Sequence, residues 1–157
     1  MTRCLAYTSL LVPDYDQAIA FFTQVLRWQL LEDTPMSPDK RWVRVAAGDS
    51  GGTLLLARAG TPEQLALVGR QWAGLGGQSG LGGRVGLFLH TDSFDEDMVH
   101  MGAHGVQFHE APRSEAYGRV VVFSDPCGNR WDLMEPRAST NMSTSISTGT
   151  SAQEHAP

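Results

Sequence analysis

Leu11-Val12-Pro13-Asp14-Tyr15-Asp16-Gln17-Ala18-Ile19-Ala20-Phe21-Phe22 changes its hydrophobic period part-way along. The apolar residues 5–12 stop at Pro13, and proline disfavours helix at the residue before it, so they are read as a buried strand. Asp14 then stands three residues before Gln17. An Asp N-cap accepts backbone N–H bonds while Gln at the third helical position reaches back, a variant of the capping box. Ala18, Phe21, Phe22, Val25 and Leu26 follow at helical spacing, which predicts an amphipathic helix to about Arg27. Strand-like segments come next at 29–33, 42–47 and 53–59, separated by Gly, Pro, Asp and Ser.

The same order returns downstream. Residues 84–90 read as a strand, and Ser93 with Glu96 forms an S-x-x-E capping box. Phe94, Met98 and Met101 make the apolar stripe, and Gly105 suits a left-handed helix end. Strands are expected at 106–109, 119–124 and 130–134. The two caps, Asp14 and Ser93, lie about half of the ordered chain apart. Tandem βαβββ modules of α+β class explain this spacing, although other α+β folds share the pattern.

Composition narrows the function classes. The 157 residues are 41% hydrophobic and 18% charged, as in an ordinary globular domain. A net charge of -5 and a single lysine, Lys40, argue against nucleic-acid binding, which needs clustered cations. No apolar run approaches the ~20 residues of a membrane span, so no membrane partner is expected. Cys4, expected to be buried, and Cys127, in a turn, are too few for a disulfide framework, and a cytoplasmic location is the default. Residues 1–136 are assigned to one domain, with modules at 1–59 and 83–136. The Gly-rich connector between them, 60–82, contains a short helical segment, 62–68. There Trp72 packs over the junction or serves as a lid. Residues 137–157, rich in Ser and Thr, are expected to form a disordered tail.

Two strings resemble a known family. The 11–22 segment is similar to the first strand–helix junction of vicinal oxygen chelate proteins, the glyoxalase/bleomycin-resistance/extradiol dioxygenase superfamily. Tyr117-Gly118-Arg119-Val120, with Phe123-Ser124-Asp125-Pro126-Cys127-Gly128-Asn129-Arg130-Trp131-Asp132-Leu133, resembles its final hairpin. The Asp-Pro-x-Gly-Asn part is by itself an ordinary turn signal. The resemblance implies a curved mixed sheet around a cup-shaped pocket with helices on its outer face, and also a homodimer. Arg27 departs from it, standing where the family usually ends its helix with Gly.

Metal-dependent relatives hold Zn, Ni, Fe or Mn with ligands on the first and last strands of each module. Carried over, the first-strand positions are Tyr7 and Gly86, and one last-strand position is Asp132. Residues 51–59, the other ligand strand, contain no His, Asp, Glu or Cys. A divalent site needs several converging donors, so no metal or other cofactor is expected. Strand alternation then predicts a different cup lining. Tyr7, Ser9 and Leu11 face inward from the first module. Gly86, Phe88, His90, Arg130, Asp132 and Met134 face inward from the second. Val85, Leu87, Leu89, Trp131 and Leu133 pack beneath a helix.

Within this lining His90 and Asp132 are the candidate catalytic pair, with Asp132 orienting His90 as a general base; a solvated, inert His90 is the plainer reading. Tyr7, Ser9, Trp42, Arg44, Phe88, His90, Tyr117, Asp132 and Met134 are the candidate ligand contacts. Arg44 suits a carboxylate or phosphate, against the alternative of a surface salt bridge. Arg113 is placed on the surface. His100 and His104 have helical i,i+4 spacing but no third metal ligand. The leading expectation is a small-molecule binder without the family metal. A lyase, isomerase or dioxygenase-type enzyme with a non-standard or metal-free site competes with it, as does a ligand-free interaction module.

Overall fold

The computed structural model describes residues 3–49, 51–72 and 85–138. Residues 139–157 and 73–84, which carry most of the expected tail and much of the connector, lie outside the described residues.

The first module opens with β1, Thr8–Val12, which pairs in parallel with β4, Thr53–Arg58. The strand starts later than expected because pairing begins at Thr8↔Leu54. Cys4, expected to be buried, is therefore exposed: its stretch has no ladder partner to carry it into the core. Asp14, in extended conformation, caps α1, Tyr15–Ala20, by accepting from Gln17 N at 2.9 Å. The helix then widens into a π-helical turn, Phe21–Val25, where Leu26 N donates to Phe21 O. Arg27 ends it with a φ of 56°, so the left-handed geometry survives without glycine, at a cost of about 1 kcal/mol. Two antiparallel strands, β2 (Gln29–Ser37) and β3 (Lys40–Ala46), complete the sheet order β1-β4-β3-β2. Thr61 then caps the short α2, Pro62–Leu67, by accepting from Gln64 N.

The second module repeats the plan with β5 (Leu87–His90), α3 (Phe94–Ala103) and β6 (Gln107–Phe108), then β7 (Arg113–Glu115), β8 (Gly118–Ser124) and β9 (Arg130–Pro136). Its order is β5-β9-β8-β6, with β7 also paired to β8. The capping box expected at Ser93 is absent. Ser93 sits at φ -130° and ψ 46°, outside the extended geometry that aims an N-cap hydroxyl at the helix, and its Oγ bonds Asp92 instead. Thr91 Oγ1 takes over locally, accepting from Ser93 N and donating to Asp97 Oδ2. Gly105 has the expected left-handed conformation, with φ 80°.

Alternation sorts each sheet into two faces. Leu10, Val12, Val43, Val45, Leu54 and Leu56 from the first sheet share one core with Val121, Phe123, Trp131 and Leu133 from the second. Helical Phe21, Phe22, Phe94 and Met101 belong to the same core, so the helices lie on the side of each sheet opposite its curved face. The halves join here: Phe22 and Trp28 stand 6.0 and 5.9 Å from Trp131 between ring centres. Arg27 pairs with Glu96 at 2.9 Å, and His100 Nε2 lies 3.0 Å from Gln24 O. The α+β class and the two modules are as expected, with the curved surface divided between two open sheets.

Between β8 and β9, buried Asp125 organises the turn. Its Oδ1 accepts from Cys127 N and Asn129 N, and its Oδ2 accepts from Asn129 Nδ2 and Trp131 Nε1. Gly128 supplies the positive φ that the turn requires. This hub sets the start of β9 and hence which of its residues reach the curved face.

Candidate functional site

On the first sheet, Ser9 pairs with Leu55, Leu55 with Arg44, and Arg44 with Glu32, a continuous row across four strands. Tyr7 meets Trp42 edge-on, with ring centres 5.9 Å apart, and Arg44 lies 5.9 Å from the Tyr7 ring centre. Its guanidinium is already paired, 2.9 Å from Glu32. The neighbouring cations are held in the same way: Arg41 by Asp16 and Asp33, and Arg58 by Asp39. A depression of about 650 Å³ opens beside Leu11, Trp42, Leu55 and Ala57.

The second sheet presents a different chemistry. Phe88 pairs with Asp132 and Asp132 with Val122; one step along, His90, Met134, Val120 and Arg113 form the next row. Phe88 is 61% exposed, whereas Asp132 is only 7% exposed. Asp132 Oδ1 is buried without a hydrogen-bond partner. Burial pushes its carboxyl above the ordinary range, and the Arg113 charge pulls the other way. Arg113, placed on the surface by sequence reasoning, is half-buried on this face and is held by Glu110 and Glu115. Its approach to Asp132 arises from β7, a strand absent from the sequence-based expectation.

His90 and Asp132 share this face on adjacent strands, but His90 pairs in register with Met134, one step from Asp132. No hydrogen bond joins them, so the orienting contact of a catalytic dyad is not made. Tyr117 lies on the approach to β8, 51% exposed, its carbonyl accepting from Arg137 N. His100 and His104 are committed locally, His104 Nδ1 lying 2.8 Å from the His100 carbonyl. Burial and the nearby Asp125 push the Cys127 thiol up to about 11, which keeps it protonated and a poor nucleophile at neutral pH.

The connector contributes two features. Gln71 clips the free edge of β1: its Oε1 accepts from Leu11 N at 2.6 Å and its Nε2 donates to Ser9 O at 3.3 Å. The side-chain amide thus mimics one residue of a neighbouring strand. Nothing local in the sequence signals this, because the contact spans about 60 residues. Trp72, next along, lies against Gly86 so closely that a Cβ there would overlap the indole ring.

These positions bear directly on a metal. The carried-over donor set is an edge-on phenol at Tyr7, a glycine covered by indole at Gly86, and one carboxylate at Asp132. β4 offers Thr, Leu, Ala and Arg side chains. Among the described residues no three His, Cys, Asp or Glu side chains come together as a cation shell. The residues present do not fit the metal centre of metal-dependent relatives.

The family model described as Glyoxalase/Bleomycin resistance protein/Dioxygenase superfamily matches residues 5–133, nearly all of both modules. The chain belongs to this superfamily. An uncharacterised protein of Shewanella frigidimarina is 43% identical over 137 residues, covering 86% of this chain and 95% of its own. The superfamily fold recurs in TnmS3, an antibiotic binding protein from Streptomyces sp. CB03234, with a TM-score of 0.65 and 27% identity over 87% of this chain and 98% of that one. A glyoxalase/bleomycin resistance protein from the same Streptomyces is similar at a TM-score of 0.58 and 28% identity, covering 81% and 96% of the two chains.

Proposed function

We propose that this superfamily member binds a small organic molecule on its curved faces without the family metal and returns it unchanged. The observation that carries this reading is the replacement of donors at the carried-over ligand positions: Trp72 lies over Gly86, and the strand Thr53–Arg58 offers no carboxylate, imidazole or thiolate. What lines these faces instead is aromatic and aliphatic surface interleaved with charged groups that mostly pair with one another, and apolar lining with polar anchors is the make-up of a ligand pocket. Tyr7, Ser9, Trp42 and Arg44 serve the first half-cup; Phe88, His90, Tyr117, Asp132 and Met134 serve the second. The likeness to an antibiotic binding protein supports the same class of ligand contact.

A second copy of the chain completes the site. Tyr7, Phe88 and Tyr117 are 37%, 61% and 51% exposed, so each curved face is open to a partner or ligand. The halves of one chain meet instead through the helix side, at Phe22, Trp28 and Trp131. The reading is tested by native mass spectrometry of the full chain. A dimer carrying a co-purified organic molecule, released chemically intact, is the expected result. A product differing from the molecule added would assign an enzyme, and a monomer that takes up nothing would reject the cup.

A further inference from the structure

The charge of the ligand follows from how the curved faces are neutralised, and this step rests on the binding reading above. Arg44, Arg41 and Arg58 on the first sheet each have a carboxylate partner. On the second sheet Arg113 is shared between Glu110 and Glu115, and Arg130, two residues before Asp132, is itself engaged. Among the described residues Asp132 is a buried carboxylate left unsatisfied: it is 7% exposed, and Oδ1 accepts from nothing. A buried carboxylate oxygen without a donor is costly, and a charge-assisted hydrogen bond recovers the most. Phe88 on one neighbouring strand, Val122 on the other and Met134 two residues along give Asp132 apolar neighbours, while the cations of this face, Arg113 and Arg130, are already engaged. Phe88 in particular keeps most of its ring open to a bound body.

We infer that the second half-cup takes an apolar molecule bearing a protonated amine, which donates to Asp132 Oδ1 while its body lies on Phe88 and Met134. A hydroxyl in the same place makes a weaker bond. A carboxylate is rejected, because it meets the Asp132 carboxylate while the nearby guanidiniums are already engaged. The chain's net charge of -5 favours the approach of a cation in the same sense.

Three probes of one shape separate these cases: 2-naphthylmethylamine, 2-naphthylmethanol and 2-naphthoate, titrated into the full chain by calorimetry at pH 7. The amine is expected to bind at least tenfold more tightly than the alcohol, and the carboxylate at least tenfold more weakly. In Asp132→Asn, shown folded by its thermal melt, the advantage of the amine over the alcohol falls at least tenfold. Phe88→Ala weakens amine and alcohol alike. Equal binding of amine and carboxylate, or an amine preference that survives Asp132→Asn, overturns the inference and leaves the pocket standing. Failure of all three to bind overturns the inference and the pocket together.

Discussion

The indole of Trp72 occupies the space into which a side chain at Gly86 would grow. The connector thereby closes part of the boundary between the modules, and glycine is required for steric reasons. Gly86→Ala overpacks this contact and is expected to cost ~1–3 kcal/mol. In a Trp72→Ala background the same change costs under ~1 kcal/mol, since the obstacle has gone. Denaturant midpoints of the four chains in this cycle measure the coupling. Equal costs in both backgrounds contradict the contact.

Asp125 satisfies two backbone amides, the Asn129 side chain and the Trp131 indole with two oxygens. Asp125→Ala strands buried donors and is expected to destabilise the chain by at least ~3 kcal/mol. Asp125→Asn, which keeps one carbonyl oxygen, falls between wild type and Ala. Chemical denaturation with an unchanged slope checks the order.

Asp132 links stability to pH. Its folded carboxyl titrates above the unfolded value of about 3.9 because burial opposes the charge more than Arg113 supports it. The stability contributed by Asp132 is therefore fully present below the unfolded value and is lost as pH rises through the folded one. Asp132→Asn therefore melts higher than wild type at pH 7, and the gain disappears near pH 3. Arg113, His90 and Arg130 share this face and are present in both chains, so the comparison isolates the Asp132 carboxyl. Thermal melts at the two pH values decide it. A variant that melts lower at pH 7 would show that the charged carboxylate stabilises the fold. A stabilised variant with lost amine binding would mark Asp132 as kept for function.

Most of the fold was legible because strand alternation is a rigid constraint. Placing Trp131 and Leu133 under a helix forces Asp132 and Met134 to the other face, which is where they lie. Arg27, which lacks the glycine that usually ends this helix and so suggested a different local turn, keeps the left-handed geometry nonetheless. What escaped depends on competing partners. Ser93 chose Asp92 over its helix, Cys4 lay beyond the reach of β4, and β7 brought Arg113 towards Asp132. The Gln71 clip and the settling of Trp72 on Gly86 join segments remote in sequence, and no local periodicity encodes such contacts.

Metal independence is the central claim, and chelation tests it most directly. The full chain is titrated with 2-naphthylmethylamine before and after dialysis against EDTA, and again after adding back Zn, Ni, Fe or Mn, with metal content read by native mass spectrometry. We predict no stoichiometric metal and an affinity unchanged within twofold throughout. One tightly held metal per chain, with affinity lost on chelation and restored by the metal, would contradict the account.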